Sequence, residues 1–289
     1  MVYIVKPVKS PDGISTKYVQ STDDGQRIEA LYVNQPNKHI ICYSTQIGCD
    51  CHCKFCYVGR NCQLIRNLTR KEIVEQCENV IVDQHLQSAE KPILFSAMGM
   101  GEPLMNLDDY IRSIRQLAAT HPASKFALAT SGRHPALIVE LGRRLRSITN
   151  EIQSFKLSIS LHATGDLRKY LMSASADIES TKNAVNMFKK ISGFPVEYYV
   201  TMIKYVTDSA DQAYQMAKIL CPTTSAGDMP YIKLNRYNPI PGCDFERSPL
   251  DRVMRFKQIL EAFGYTVEYY ETDGSDIGGS CGQILSETL

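Results

Sequence analysis

Apolar runs of strand length recur along the chain at HIICYSTQI (39–47), PILFSAM (92–98), KFALATS (125–131), FKLSISL (155–161), VEYYVTMI (196–203) and YIKLNRY (231–237). Segments with helical spacing lie between them, among them TRKEIVEQCENVIVDQHL (69–86), NLDDYIRSIRQLAA (106–119), HPALIVELGRRL (134–145) and SADQAYQMAKIL (209–220). Thr69 and Glu72 form a capping box, which places the start of the first of these helices. Residues 1–37 differ: short polar-apolar alternations broken by PDG, DDG and NQPN predict a small N-terminal β-hairpin element. Six strands alternating with helices predict an α/β fold with a parallel sheet and right-handed crossovers. Six units fall short of the eight that close a full barrel, so the expectation is a partial (β/α)6 TIM-like barrel over 38–289, with its site at the C-terminal ends of the strands.

Composition narrows this little. The 289 residues are 44% hydrophobic, ample for a core, and 32 basic against 31 acidic residues leave a net charge of +1. No global field therefore draws the chain to nucleic acid or an anionic membrane, and a polyanionic substrate would need a local patch. No apolar run approaches the ~20 residues that span a bilayer. The N-terminus MVYIVKPVKSPDG lacks the layout of a secretory signal, so a cytoplasmic protein is expected.

Cysteine placement is more telling. Cys42, Cys49, Cys51, Cys53, Cys56 and Cys62 crowd together, whereas Cys77, Cys221, Cys243 and Cys281 are scattered. Such crowding in a reducing compartment points to a metal or redox site. Cys49, Cys53 and Cys56 have the spacing C-x-x-x-C-x-x-C, which holds three irons of a 4Fe-4S cluster and leaves the fourth open; Cys51 falls outside it. Zinc is the rival, because Cys49, Cys51, Cys53, Cys56 and His52 are all zinc-ligand types. Ligand-free buried thiols fit poorly with the polar Asp50, His52 and Lys54 between them.

The cysteine spacing, followed in the next βα loop by Gly101 and Glu102 of GMGEP, resembles the radical S-adenosylmethionine (SAM) superfamily. Further blocks sharpen the resemblance to the RlmN/Cfr family, which methylates an adenine of RNA: CYSTQIGC (42–49), LIRNLT (64–69), MGMGEP (98–103), SLHA (160–163), NPIPG (238–242) and GSDIGGSCGQI (274–284). The resemblance implies a radical SAM methyltransferase acting on an sp2 carbon, carbon 2 or 8, of adenine in ribosomal or transfer RNA. It implies a 4Fe-4S cluster on Cys49, Cys53 and Cys56, with SAM at Gly101, Glu102, Ser131, Ser160, Leu161, His162 and Asn238. Cys281 matches the cysteine that is methylated by one SAM and then gives a hydrogen to the radical made from a second. Cys42 matches the one that removes the ring proton and closes a disulfide with it, and Glu29 matches a glutamate described as a proton acceptor. The implied barrel ends in a C-terminal strand and this catalytic-cysteine loop. An external electron donor such as flavodoxin or ferredoxin is implied too, and no membrane.

On the residues alone, Cys42 would be a small core residue, His162 a satisfied core histidine and Glu29 a solvated strand residue. Ala129 stands where the family has a serine that contacts SAM, leaving Ser131 as the nearby hydroxyl, and Asp273 stands where relatives carry arginine. Relatives also carry an accessory domain before the β-element, and the chain is expected to lack it. RNA contacts would then fall to local groups such as Arg60, Arg66, Arg70 and Lys71, or Arg143, Arg144 and Arg146. Two rivals follow: the same chemistry on a nucleotide, small heteroaromatic or peptide, and a non-catalytic metal- or cluster-binding RNA module.

Overall fold

The computed structural model describes residues 1–87, 91–221 and 229–285. Three antiparallel strands, β1 (Val2–Lys9), β2 (Ser15–Thr22) and β3 (Arg27–Gln35), precede β4 (Lys38–Cys42) and pair onto it, so the N-terminal element continues the main sheet. From β4 onward the sheet is parallel and adds strands in chain order: β7 (Ile93–Ala97), β8 (Lys125–Thr130), β9 (Phe155–Ser160), β10 (Val196–Met202), β11 (Tyr231–Arg236) and β12 (Thr266–Tyr270). These are the six expected strands and the C-terminal one. An unclosed, singly wound parallel sheet is the partial barrel that the strand count predicted.

The crossovers run through α2 (Arg70–Asp83), α3 (Leu107–Thr120), α4 (Pro135–Ser147), α6 (Ile178–Ser192), α7 (Ala210–Leu220) and α8 (Leu250–Ala262). The capping box is present, with the Thr69 hydroxyl accepting from Glu72 N and the Glu72 carboxylate accepting from Thr69 N. Period-two alternation sorts the strand side chains. Phe95, Leu128, Leu157, Val200, Leu234 and Val267 join the core built with the helices. The opposite face is polar, and on it Lys156 Nζ lies 2.9 Å from Glu197 Oε2 and Lys233 Nζ 3.4 Å from Glu268 Oε2.

One expected strand is shorter than predicted. HIICYSTQI leaves the sheet after Cys42, and Gln46–Ile47 becomes β5, pairing antiparallel with β6 (Arg66–Asn67). The break follows from competing partners: Gln76, on α2, donates to Ser44 O and accepts from Ser44 N, so the backbone turns toward the helix.

Candidate active site

The β5–β6 ribbon closes the base of the cysteine loop. Lys54 N donates to Leu171 O at 2.9 Å, at the end of α5 (Gly165–Leu171), and Tyr57 N donates to Gly282 O at 2.8 Å, at the start of α1 (Tyr57–Asn61). Cys49, Cys53 and Cys56 all line one cleft at the C-terminal ends of the parallel strands, with about 1140 Å3 of space free of protein atoms, part of it open to solvent. Cys51 lines it as well, its Sγ 3.8 Å from Ser131 Oγ. Burial raises the thiol pKa values of Cys53 and Cys56, and a bound metal would displace those protons. Among the described residues no three His, Cys, Asp or Glu side chains converge on one ion. A cubic cluster asks for less, because each thiolate meets its own iron.

Beside the cysteines, the β7 loop carries Gly101 and Glu102. Gly101 has φ +104°, and a Cβ there would stand 2.6 Å from the Gln46 side chain, so only glycine lets the loop close on Gln46. Gln46 Oε1 then accepts from Glu102 N at 2.7 Å. The Glu102 carboxylate is 4% exposed and accepts from Ser131 N at 2.8 Å and Ser131 Oγ at 2.7 Å. Ser160 and Ala129 also line the cleft; Leu161 does not, and its side chain packs into the core.

No local pattern marks Arg168, an arginine between Leu167 and Leu171 on α5. It is 3% exposed and donates to the carbonyls of Ser131 at 3.0 Å, Ser160 at 2.8 Å and Leu161 at 2.5 Å, with Nε left unpartnered. The guanidinium thus ties the ends of β8 and β9 together beneath the cysteine loop. Burial lowers its pKa to about 10, a shift that a charged Cys53 thiolate beside it opposes.

His162 is buried at φ +56° and edge-on to the Phe55 ring. Its Nδ1 accepts from Thr201 N at 3.0 Å, which places the proton on Nε2. Burial, with Arg168 nearby, lowers its pKa to about 3, so it stays neutral. One ring nitrogen is thus satisfied within the fold, and the residue also forms a wall of the cleft.

The opposite wall is the loop after β12. Cys281 lies exposed in the cleft, and Asn238 Nδ2 donates to its carbonyl at 3.2 Å and to Thr272 Oγ1 at 2.8 Å. Gln283 Nε2 donates to Pro239 O at 3.1 Å. Asn238 therefore also positions the Cys281 loop. Cys42 ends β4 and packs with Leu31, Val33 and Ile277 beneath that loop. Burial raises its pKa, and Cys281 is close enough for its charge to raise it further. Neither Cys42 nor Cys281 is in a disulfide. Asp273 sits on the same loop, its backbone carbonyl accepting from Ser280 Oγ and its Oδ2 from Gln35 Nε2 at 3.4 Å.

Two expectations need correction. Glu29 is not solvated: it is 0% exposed on β3, with Lys17 Nζ at 3.9 Å and Leu285 N donating to it at 3.0 Å, because its side chain points inward where the chain's last described turn packs. It is not among the residues lining the cleft. Nor is Arg66 an open cation, since Asp24 at 2.9 Å and Glu72 at 2.7 Å both bind it. Arg144 pairs with Asp108 and Glu140, and Arg143 with Glu140. Arg60 donates to Gly242 O at 2.7 Å and to Lys54 O at 3.2 Å.

A cysteine loop, a buried Gly-Glu turn and an open parallel half-barrel define a radical SAM enzyme, and the model of the Radical SAM superfamily matches residues 43–217. The chain is 31% identical over 288 residues to a probable dual-specificity RNA methyltransferase RlmN of Corynebacterium diphtheriae, covering 98% of this chain and 76% of the relative. It superposes on a radical SAM methyltransferase from Sphaerobacter thermophilus with a TM-score of 0.87 at 31% identity, covering 99% of this chain and 82% of that one. Spore photoproduct lyase, at 10% identity, 79% and 76% coverage and a TM-score of 0.51, shares the fold. The chain belongs to the RlmN family of radical SAM methyltransferases. Its cofactors are accordingly a 4Fe-4S cluster and SAM. The cleft suits them, with thiols for iron and a buried carboxylate for the SAM amine.

Proposed function

We propose that this chain methylates an sp2 carbon, carbon 2 or 8, of adenine in RNA, the methyl group being carried on Cys281. The observation behind this reading is that Cys281 opens on the same cleft as Cys49, Cys53 and Cys56, with Cys42 within electrostatic reach beneath it. Cys49, Cys53 and Cys56 hold the cluster in this reading, and Gly101, Glu102, Ser131, Ser160, His162 and Asn238 border SAM, while Leu161 packs behind them in the core. Bound there, the cluster and SAM supply a carbon radical able to take hydrogen from an unactivated methyl group. That power is needed because adenine carbons 2 and 8 are electron-poor and carry no acidic proton.

The protein's part is positioning and proton handling. Glu102, fixed by Ser131, presents a carboxylate to an ammonium group, and neutral His162 keeps its Nε2 proton as a donor. Asn238 holds the Cys281 backbone so that the thiol faces the cleft. Cys42, as its thiolate, takes the ring proton and passes it on, then attacks the Cys281 sulfur, so that the S–S bond forms as the bond from that sulfur to the transferred carbon breaks and that carbon is protonated to methyl; its raised pKa makes the thiolate a stronger base once formed. A one-electron donor such as flavodoxin or ferredoxin serves the cluster. Among the described residues no helix is long and apolar enough to cross a membrane, and site cysteines outside any disulfide fit the reducing cytoplasm.

The second reading is the same chemistry on a non-RNA substrate, in which the ion-paired Arg66, Arg143 and Arg144 would meet no phosphate. Mass spectrometry of the Cys281 peptide after anaerobic turnover with SAM tests the chemistry, with an added methyl expected and an unmodified thiol overturning it. Nucleoside analysis of co-incubated RNA tests the substrate: methyladenine is expected, and its absence beside a methylated Cys281 favours the second reading.

A further inference from the structure

Asn235 lines the cleft and belongs to none of the blocks that carry the family resemblance. It lies on the helix-distal face of β11, in register with Thr201 on β10 and Tyr270 on β12. The residue is 5% exposed, and its Oδ1 is buried without a hydrogen-bond partner. An amide oxygen left so is costly, and a native fold tolerates it where a ligand supplies the missing donor. Its surroundings narrow the ligand. The Tyr199 ring lines the same cleft, Tyr270 is the β12 neighbour, and Lys233 Nζ lies 6.0 and 5.3 Å from the two ring centroids. An aromatic side chain beside a carboxamide suits a purine, and a carboxamide pairs with the adenine edge by accepting from the N6 amine and donating to N7. Hypoxanthine or guanine would set O6 against Oδ1, two acceptors face to face.

We propose that Asn235 is an adenine-reading residue of this cleft. The inference rests on the function proposed above, in which adenine enters twice, as the base of SAM and as the target base in RNA. The shared chemistry is the adenine amine against Asn235 Oδ1.

Equilibrium binding to the anaerobically reconstituted protein separates the two sources. The first arm compares S-adenosylhomocysteine with S-inosylhomocysteine, and the second compares oligoadenylate with oligoinosinate of equal length. The unaltered protein should prefer adenine about tenfold to a hundredfold in at least one arm. Asn235→Leu should erase that preference in the same arm, and Asn235→Asp, which keeps an acceptor, should retain a preference. Iron content and thermal midpoint of each variant confirm an intact fold. Loss in the first arm assigns the SAM base, and loss in the second assigns the substrate base. Either supports the proposal. No preference in either arm, or an unchanged preference in Asn235→Leu, overturns it. Failure of the RNA reading is separately visible, because the unaltered protein would then not bind oligoadenylate while the first arm still tests Asn235.

Discussion

The two walls of the cleft are built on different terms. On the β7–β9 side, Glu102 is held by Ser131, Ser131 and the end of β9 by Arg168, and the loop by Gln46. On the β10–β12 side, Asn235 Oδ1 has no partner and Tyr199 presents a ring beside it. The first wall is a hydrogen-bonded frame that stands without ligand, as a cluster and a polar cofactor tail need for preorganisation. The second wall holds a polar group whose partner must arrive from outside. A single cleft thus separates the parts that hold from the part that selects.

The largest expected effect falls on the cysteines. Replacing Cys49, Cys53 or Cys56 by Ala should abolish cluster assembly, whereas Cys51→Ala should leave it nearly intact although Cys51 stands in the frame against Ser131. Iron and sulfide counting after anaerobic reconstitution checks this; equal loss in the Cys51 variant would make that thiol a ligand and remove it from the frame.

Next comes a direct contrast between the walls in the cluster-free chain. Arg168→Met strips donors from three carbonyls and should cost about 3 kcal/mol or more, at about 1 kcal/mol or more for each buried bond. Asn235→Leu removes an amide oxygen that is already unpaired, and should change stability by less than about 1 kcal/mol. Urea unfolding midpoints of the two variants should differ clearly. Equal losses would mean that both walls are structural.

The smallest effect is a pH dependence. His162 has a folded pKa of about 3, below its ordinary 6.5, so the unfolded chain takes the proton first as pH falls. Its contribution is full above about pH 6.5 and is lost toward pH 3, at about 1.4 kcal/mol per unit or roughly 2 kcal/mol by pH 5. Stability measured against pH should show a shallower acid limb in His162→Gln. An unchanged limb would remove His162 from the buried frame.

Much of this arrangement was readable in advance. The strand and helix runs and the capping box at Thr69 rest on local periodicity, and the structure carries them with small shifts at the ends. The run at 39–47 was overextended, because apolar alternation continues through Tyr43–Ile47 while the backbone is drawn off by Gln76. Arg66 looked like an open cation in its segment. Its partners lie on β6's neighbours in space, Asp24 before β3 and Glu72 in α2, and no local pattern announces them.

What the sequence determined by itself is therefore what short spacings encode: alternation of strand and helix, the C-x-x-x-C-x-x-C trio, the Gly-Glu turn and the glycines about Cys281. These depend on residues a few positions apart, where helix and strand periods act directly. Only the tertiary structure decided that Cys42 packs against Ile277 of the loop that carries Cys281, that Arg168 braces the strand ends, that Glu29 is buried, and that Asn235 is left with an empty acceptor. Each of those depends on segments far apart in the chain being brought together when the sheet forms. Whether a polar atom then finds a partner is settled by packing, which spacing along the chain does not encode.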